Sequence, residues 1–72
     1  MNDPKVITIT TPYITLGQLL KLGNVIGNGG EAKAYLATYE VLVNGEAENR
    51  RGRKLYPGDV VKAGSKAFRI GS

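Results

Sequence analysis

The chain has 72 residues, ten of them Lys or Arg and six Asp or Glu, for a net charge of +4, and it contains neither cysteine nor histidine. That is one domain (residues 1–72), close to the size at which a single core is only just sufficient, and the missing residue types exclude a disulfide framework, a thiolate metal site, the usual general base and the commonest metal ligand. No apolar run approaches membrane-spanning length, and Met1-Asn2-Asp3-Pro4-Lys5 lacks the apolar core of a signal peptide, so a cytoplasmic protein with no membrane partner is expected.

The first element is a short strand. Val6, Ile7 and Ile9 alternate with Thr8, Thr10 and Thr11, all residues suited to a pleated surface, until Pro12 stops the run. A helix then opens at Thr15. Thr15 and Gln18 have capping-box spacing, Ile14 and Leu19 stand at the staple positions on either side of the cap, and Leu16, Leu19 and Leu20 form one apolar stripe. Gly23-Asn24 is the expected C-terminal stop after about two turns. The leucines read as core, not as a groove for a partner.

A second helix is expected from Asn28, whose spacing to Glu31 repeats the capping pattern. Ala32, Tyr35, Leu36 and Tyr39 fall at helical intervals on its apolar face, and Lys33 falls on the solvent side. Residues 40–43 then read as a strand, Asn44-Gly45 as a two-residue hairpin turn, and residues 46–49 as the returning arm. Past Pro57-Gly58, Val60 and Val61 start another strand, Gly64-Ser65 turns it, and residues 67–70 close the sheet. The order is a strand, two short helices and a small antiparallel sheet, which is an α+β domain.

Charge is unevenly placed. Residues 1–49 hold three basic and five acidic side chains, while residues 50–72 hold seven basic ones against Asp59 alone. The densest cluster is Arg50, Arg51, Arg53 and Lys54, interrupted only by Gly52 and bracketed by the Asn44-Gly45 and Pro57-Gly58 turns. A bracketed loop carries its guanidinium groups at a fixed place, which suits a phosphate backbone; a solvated face that keeps a small protein soluble is the competing reading. Gly52 lets the loop bend close to a backbone, and Tyr56 stands beside the cluster, available to stack or to be partly buried. A membrane surface is less suited, since the loop has no large apolar side chains beside its charges.

Other patterns carry less. Gly27-Asn28-Gly29-Gly30-Glu31-Ala32 formally matches a dinucleotide fingerprint, but a βαβ unit does not fit around it. Gly29 and Gly30 either leave backbone amides open to an anion, which Glu31 partly opposes, or merely permit a tight turn. Glu46, Glu48 and Asp59 have no apolar surroundings, nucleophile or metal partner in the sequence, and Asp59 is expected to organise its own turn. No enzymatic activity, small-molecule substrate or cofactor is expected.

Leu16, Leu19, Leu20 and Gly23, then Glu31-Ala32-Lys33, Val41-Leu42-Val43-Asn44-Gly45 and Gly58-Asp59-Val60-Val61, together resemble the S-four RNA-binding domain, or alpha-L motif, over about residues 15–61. Within that family the chain looks most like the small stand-alone bacterial proteins of the YaaA type, associated with ribosome maturation, through Gly29-Gly30-Glu31-Ala32-Lys33 and Arg50-Arg51-Gly52-Arg53-Lys54-Leu55. The resemblance implies an RNA-binding face made by the start of the second helix and the loop after the hairpin. Carried over, this means Asn28, Gly29, Gly30 and Lys33 with Arg50, Arg51, Arg53 and Lys54. The chain departs from most of the family in having Asn28-Gly29 where Ser-Arg is usual.

The expected function is therefore non-catalytic binding of structured RNA, ribosomal RNA above all, by a monomer acting in ribosome assembly. A protein-interaction adaptor docking on an acidic protein surface of the ribosome is the alternative, and duplex DNA is a third partner to separate by competition.

Overall fold

The computed structural model describes residues 4–72. Met1, Asn2 and Asp3, part of the segment read above as lacking a signal-peptide core, lie outside the described residues. In chain order the elements are β1 (Lys5–Thr8), β2 (Ile14–Thr15), α1 (Leu16–Leu22), a single 3-10 turn (Gly29–Glu31), α2 (Ala32–Thr38), β3 (Val41–Val43), β4 (Glu46–Ala47), β5 (Lys54–Leu55), β6 (Val60–Ala63) and β7 (Lys66–Gly71). Five strands form one sheet in the order β1-β7-β6-β3-β4, and β2 with β5 forms a separate two-stranded sheet.

The α+β class is as expected, with two short helices packed on a small sheet. The sheet itself is mixed. The pairs β3–β4, β3–β6 and β6–β7 are antiparallel, but β1 runs parallel to β7, with Val6 opposite Arg69 and Ile7 opposite Ile70. Strand alternation puts Val41, Val43, Val61, Ala63, Phe68 and Ile70 on one buried face. Leu16, Leu19 and Leu20 of α1, all at 0% exposure, join Ala32 and Leu36 of α2 to cover that face. Each of these leucines contributes on the order of 2 kcal/mol by leaving water.

Local signals explain most element ends. The capping box forms in full: the Thr15 N–H donates to Gln18 Oε1 at 2.8 Å and the Gln18 N–H donates to Thr15 Oγ1 at 3.3 Å. Gly23 ends α1 at a place where a Cβ would lie 2.5 Å from Cε1 and Cζ of Phe68, so close packing by the ring demands glycine there. The left-handed residue is its neighbour Asn24, with φ 59°.

Two expectations for the second helix are corrected. Asn28 makes no side-chain cap bond. The chain takes a 3-10 turn instead, so the Glu31 N–H donates to the Asn28 main-chain carbonyl at 3.1 Å and α2 begins only at Ala32. Tyr39 is not on the apolar face. It follows the end of α2 with extended backbone, φ −118° and ψ 143°, and is 59% exposed.

The two turn motifs that bracket the basic loop bind each other. Asn44 and Gly45 both adopt positive φ, 52° and 85°, as a tight hairpin turn of this kind requires. Asn44 Oδ1 accepts from the Val60 N–H at 3.0 Å, and Asn44 Nδ2 donates to Asp59 Oδ1 at 3.2 Å. The other Asp59 oxygen accepts from the Tyr56 N–H at 2.8 Å, which organises the Pro57-Gly58 turn. This clasp draws together the two ends of residues 46–58 and makes the stretch between them a defined loop.

Candidate nucleic-acid interface

The basic loop is anchored at its base by α1. The first amides of a helix lack partners within the helix, and here the loop's own carbonyls supply them. The Leu16 N–H donates to Arg53 O at 2.8 Å and the Gly17 N–H donates to Arg51 O at 2.9 Å. Next to these bonds, β2 pairs with β5 in antiparallel register, Ile14 with Leu55 and Thr15 with Lys54. Backbone between Arg51 and Leu55 is thus fixed by main-chain bonds, and the direction of its side chains follows.

Gly17 is the point where the loop and α2 converge. A Cβ on Gly17 would meet Ala32 Cβ and Arg51 O, each at 3.4 Å, and Arg51 Cβ at 3.5 Å. The helix, the first residue of α2 and the loop thus all come within van der Waals reach of this one position. A shallow groove of about 380 Å³ runs across this junction, lined by Thr15, Gly17, Gln18, Lys21, Gly29, Ala32, Arg51 and Gly52. It runs from Gly29 in the 3-10 turn to Arg51 in the loop.

The other candidate residues are placed around this groove. Asn28, Gly30 and Lys33 are exposed beside Gly29 but do not line the groove. Arg50, Arg53 and Lys54 border an adjoining depression with Tyr56 and Asp59, and Gly52 lines both. Gly29 has no neighbouring atom within 4 Å of where a Cβ would stand, so its backbone is open to close approach.

The four cations of the loop are not equivalent. Both salt bridges among the described residues belong to Glu48, whose Oε2 lies 3.0 Å from Arg50 Nε and whose Oε1 lies 3.0 Å from Arg53 Nη1. Glu48 also accepts from the Arg50 N–H, at 3.1 Å. These bonds, the Arg50 side chain's first, hold the Glu48 carboxyl well below its ordinary range, at about 2, against a smaller opposing effect of its burial. Over residues 48–54, four cations less one carboxylate leave a net +3. Arg51 and Lys54 have no salt-bridge partner among the described residues; the Lys54 ammonium instead lies 4.9 Å from the centre of the Tyr13 ring.

Sequence reasoning missed Lys21, Gln18, Gly17, Tyr13 and Glu48. For Gly17 the only signal was a glycine placed inside a helical pattern, where it costs helix stability. Lys21 follows Gly17 by one helical turn and so shares its face. Nothing local marked Glu48 as the partner of two arginines, or Tyr13 as a neighbour of a loop some forty residues away.

The arrangement can hold phosphate groups by charge and bidentate guanidinium contacts; among the described residues no cluster of His, Cys, Asp and Glu could hold a metal ion. A family model described as the S4 domain matches residues 7–71. A curated protein of Bacillus subtilis (strain 168), described as probable ribosome maturation protein RlbA, is 64% identical over 56 residues, covering 78% of this chain and 79% of that protein.

Proposed function

The chain belongs to the S4 domain family, and from that premise we propose that it is a non-catalytic protein that binds structured ribosomal RNA during ribosome assembly. The observation that carries the reading is the groove joining Gly29 and Arg51 across Gly17, with the basic loop held rigid at one wall. Its contacts are Asn28, Gly29, Gly30 and Lys33 from the start of the second helix and Arg50, Arg51, Arg53 and Lys54 from the loop, with Lys21 between them.

Recognition is by shape and phosphate. A fork of arginines at fixed positions reads the spacing of phosphates across a stem or junction, and the open glycine backbone at Gly29 admits the ribose-phosphate chain. Glu48 orients two of the arginines, which lowers the entropy lost when they engage. The relative named for ribosome maturation supports a ribosomal RNA as the target, and a protein acting there works in the cytoplasm.

The test is a salt titration against a structured ribosomal RNA fragment. Neutralising about four phosphates gives a slope of roughly −3 to −4 in log affinity against log salt. Binding without a salt slope overturns the reading, as does attachment to ribosomal particles that survives complete digestion of their RNA.

A further inference from the structure

The two-stranded sheet of β2 and β5 has an inner and an outer face. Ile14 and Leu55, opposite each other, are buried at 8% and 0% exposure. Strand alternation sends their neighbours to the other side, where Thr15 faces Lys54. Continuing the same register by one residue sets Tyr13 across from Tyr56. Their rings meet with centroids 5.9 Å apart and planes tilted by 51°, and Lys54 Nζ stands 4.9 Å from the Tyr13 centroid. The two residues remain 39% and 49% exposed.

This pair is held in place and left open. The Tyr13 carbonyl accepts from Thr11 Oγ1 at 2.8 Å, and the Tyr56 N–H donates to Asp59 at 2.8 Å, so both main chains are tied. Asp59 is turned to its own clasp, one oxygen accepting from Asn44 Nδ2 and the other from the Tyr56 N–H. Beside Tyr13 an open groove of about 730 Å³ continues along Pro12, Gln18, Lys21 and Leu22, richer in apolar than in polar lining. Lys21 also lines the groove at Arg51, so the aromatic surface and the phosphate-holding surface are continuous.

We propose that the outer face of this small sheet is a stacking site for an unpaired nucleobase of RNA, with Tyr13 and Tyr56 as the aromatic surface and Lys54 and Lys21 for the flanking phosphates. It rests on the RNA-binding reading above. A nucleobase supplies a flat face for the rings, and its own backbone supplies negative charge for the two lysines. That combination matches the surface on both counts, and base stacking on aromatic side chains is a general means of gripping unstacked nucleotides.

The probes are three RNAs: a hairpin stem with one bulged adenosine, the same stem with an abasic nucleotide at the bulge, and the fully paired stem. The native protein is expected to bind the bulged adenosine roughly tenfold tighter than the abasic form. Tyr13→Leu with Tyr56→Leu removes that preference while binding to the paired stem and its salt dependence persist. Tyr13→Phe with Tyr56→Phe, which keeps the rings, retains the preference. Equal affinity of native protein for the adenosine and abasic RNAs, with paired-stem binding intact, overturns the stacking site alone. Failure of all three RNAs to bind overturns the RNA reading and the stacking site with it. If the leucine variant does not fold, the comparison of the two bulged RNAs on native protein still decides.

Discussion

Glu48 and Arg50 are joined by three hydrogen bonds, from Arg50 Nε at 3.0 Å, from Arg50 Nη2 at 3.1 Å and from the Arg50 N–H at 3.1 Å. A carboxylate two residues before an arginine thus folds the chain into a small closed unit, and Arg53 completes it at 3.0 Å. The loop's shape is built around this internal anion.

This pairing has a pH signature. The Glu48 carboxyl titrates near 2 in the folded protein and near 4.5 as an unperturbed group. A depressed folded value means that the stabilisation is fully present above about pH 4.5 and is lost as pH falls toward 2. Because Arg50 is largely exposed, solvent screening keeps the effect small. Thermal melts between neutral pH and pH 2.5 are expected to fall further for the native protein than for Glu48→Gln, which lacks the titrating group. Parallel pH profiles of the two proteins would contradict this assignment.

Arg51 is the cleanest probe of phosphate binding, since its guanidinium has no salt-bridge partner among the described residues. Arg51→Glu is expected to leave the melting temperature nearly unchanged, to lower RNA affinity at least tenfold and to reduce the salt slope by about 1. Arg53→Glu sets two carboxylates against each other at Glu48 and destabilises the loop as well. Isothermal titration at several salt concentrations separates the two, and an Arg51→Glu protein with native affinity and slope would remove the loop from the interface.

The clasp between Asn44 and Asp59 predicts an ordered pair of effects. Asn44→Gly keeps the positive φ but loses two side-chain bonds, at a cost of about 1–2 kcal/mol. Asn44→Ala loses the same bonds and also forces a Cβ into the left-handed region, adding about 1 kcal/mol. Urea unfolding is expected to rank native above Asn44→Gly above Asn44→Ala, and the reverse order of the two variants would show that backbone strain is not at work there.

Gly23 and Phe68 are expected to be coupled. Gly23→Ala drives a methyl group against the buried Phe68 ring, where it would stand 2.5 Å away, and costs about 1–3 kcal/mol. Phe68→Leu removes the obstructing ring edge at its own cavity cost. Denaturation of the double variant is expected to show a loss smaller than the sum of the single losses by more than about 0.5 kcal/mol; strict additivity would place the strain elsewhere.

Signals confined to a few neighbouring residues were legible and reliable. Thr15 with Gln18, the leucine stripe of α1, Asn44-Gly45, and the strands around Val41 and Val61 each depend on bonds or periodicities spanning at most a few positions. The same kind of spacing misled at Asn28 and Glu31, because a 3-10 turn and a capping box satisfy the same amide with different oxygens. The charge of the basic loop could be counted from the chain alone, but not which of its cations were already engaged.

Composition and local pattern alone determined that this is a small α+β domain with a bracketed basic loop and no histidine or cysteine chemistry. Three-dimensional packing decided the rest. The parallel pairing of β1 with β7 joins the two ends of the chain, and Ile14 finds Leu55 across forty-one positions in strands only two residues long. So short a strand has no periodicity to read, and a backbone donor does not specify which distant carbonyl it will meet. Those pairings nevertheless place Tyr13 beside Tyr56, Arg51 beside Gly17 and the basic loop beside α2, because the free energy that selects them comes from burying one shared core.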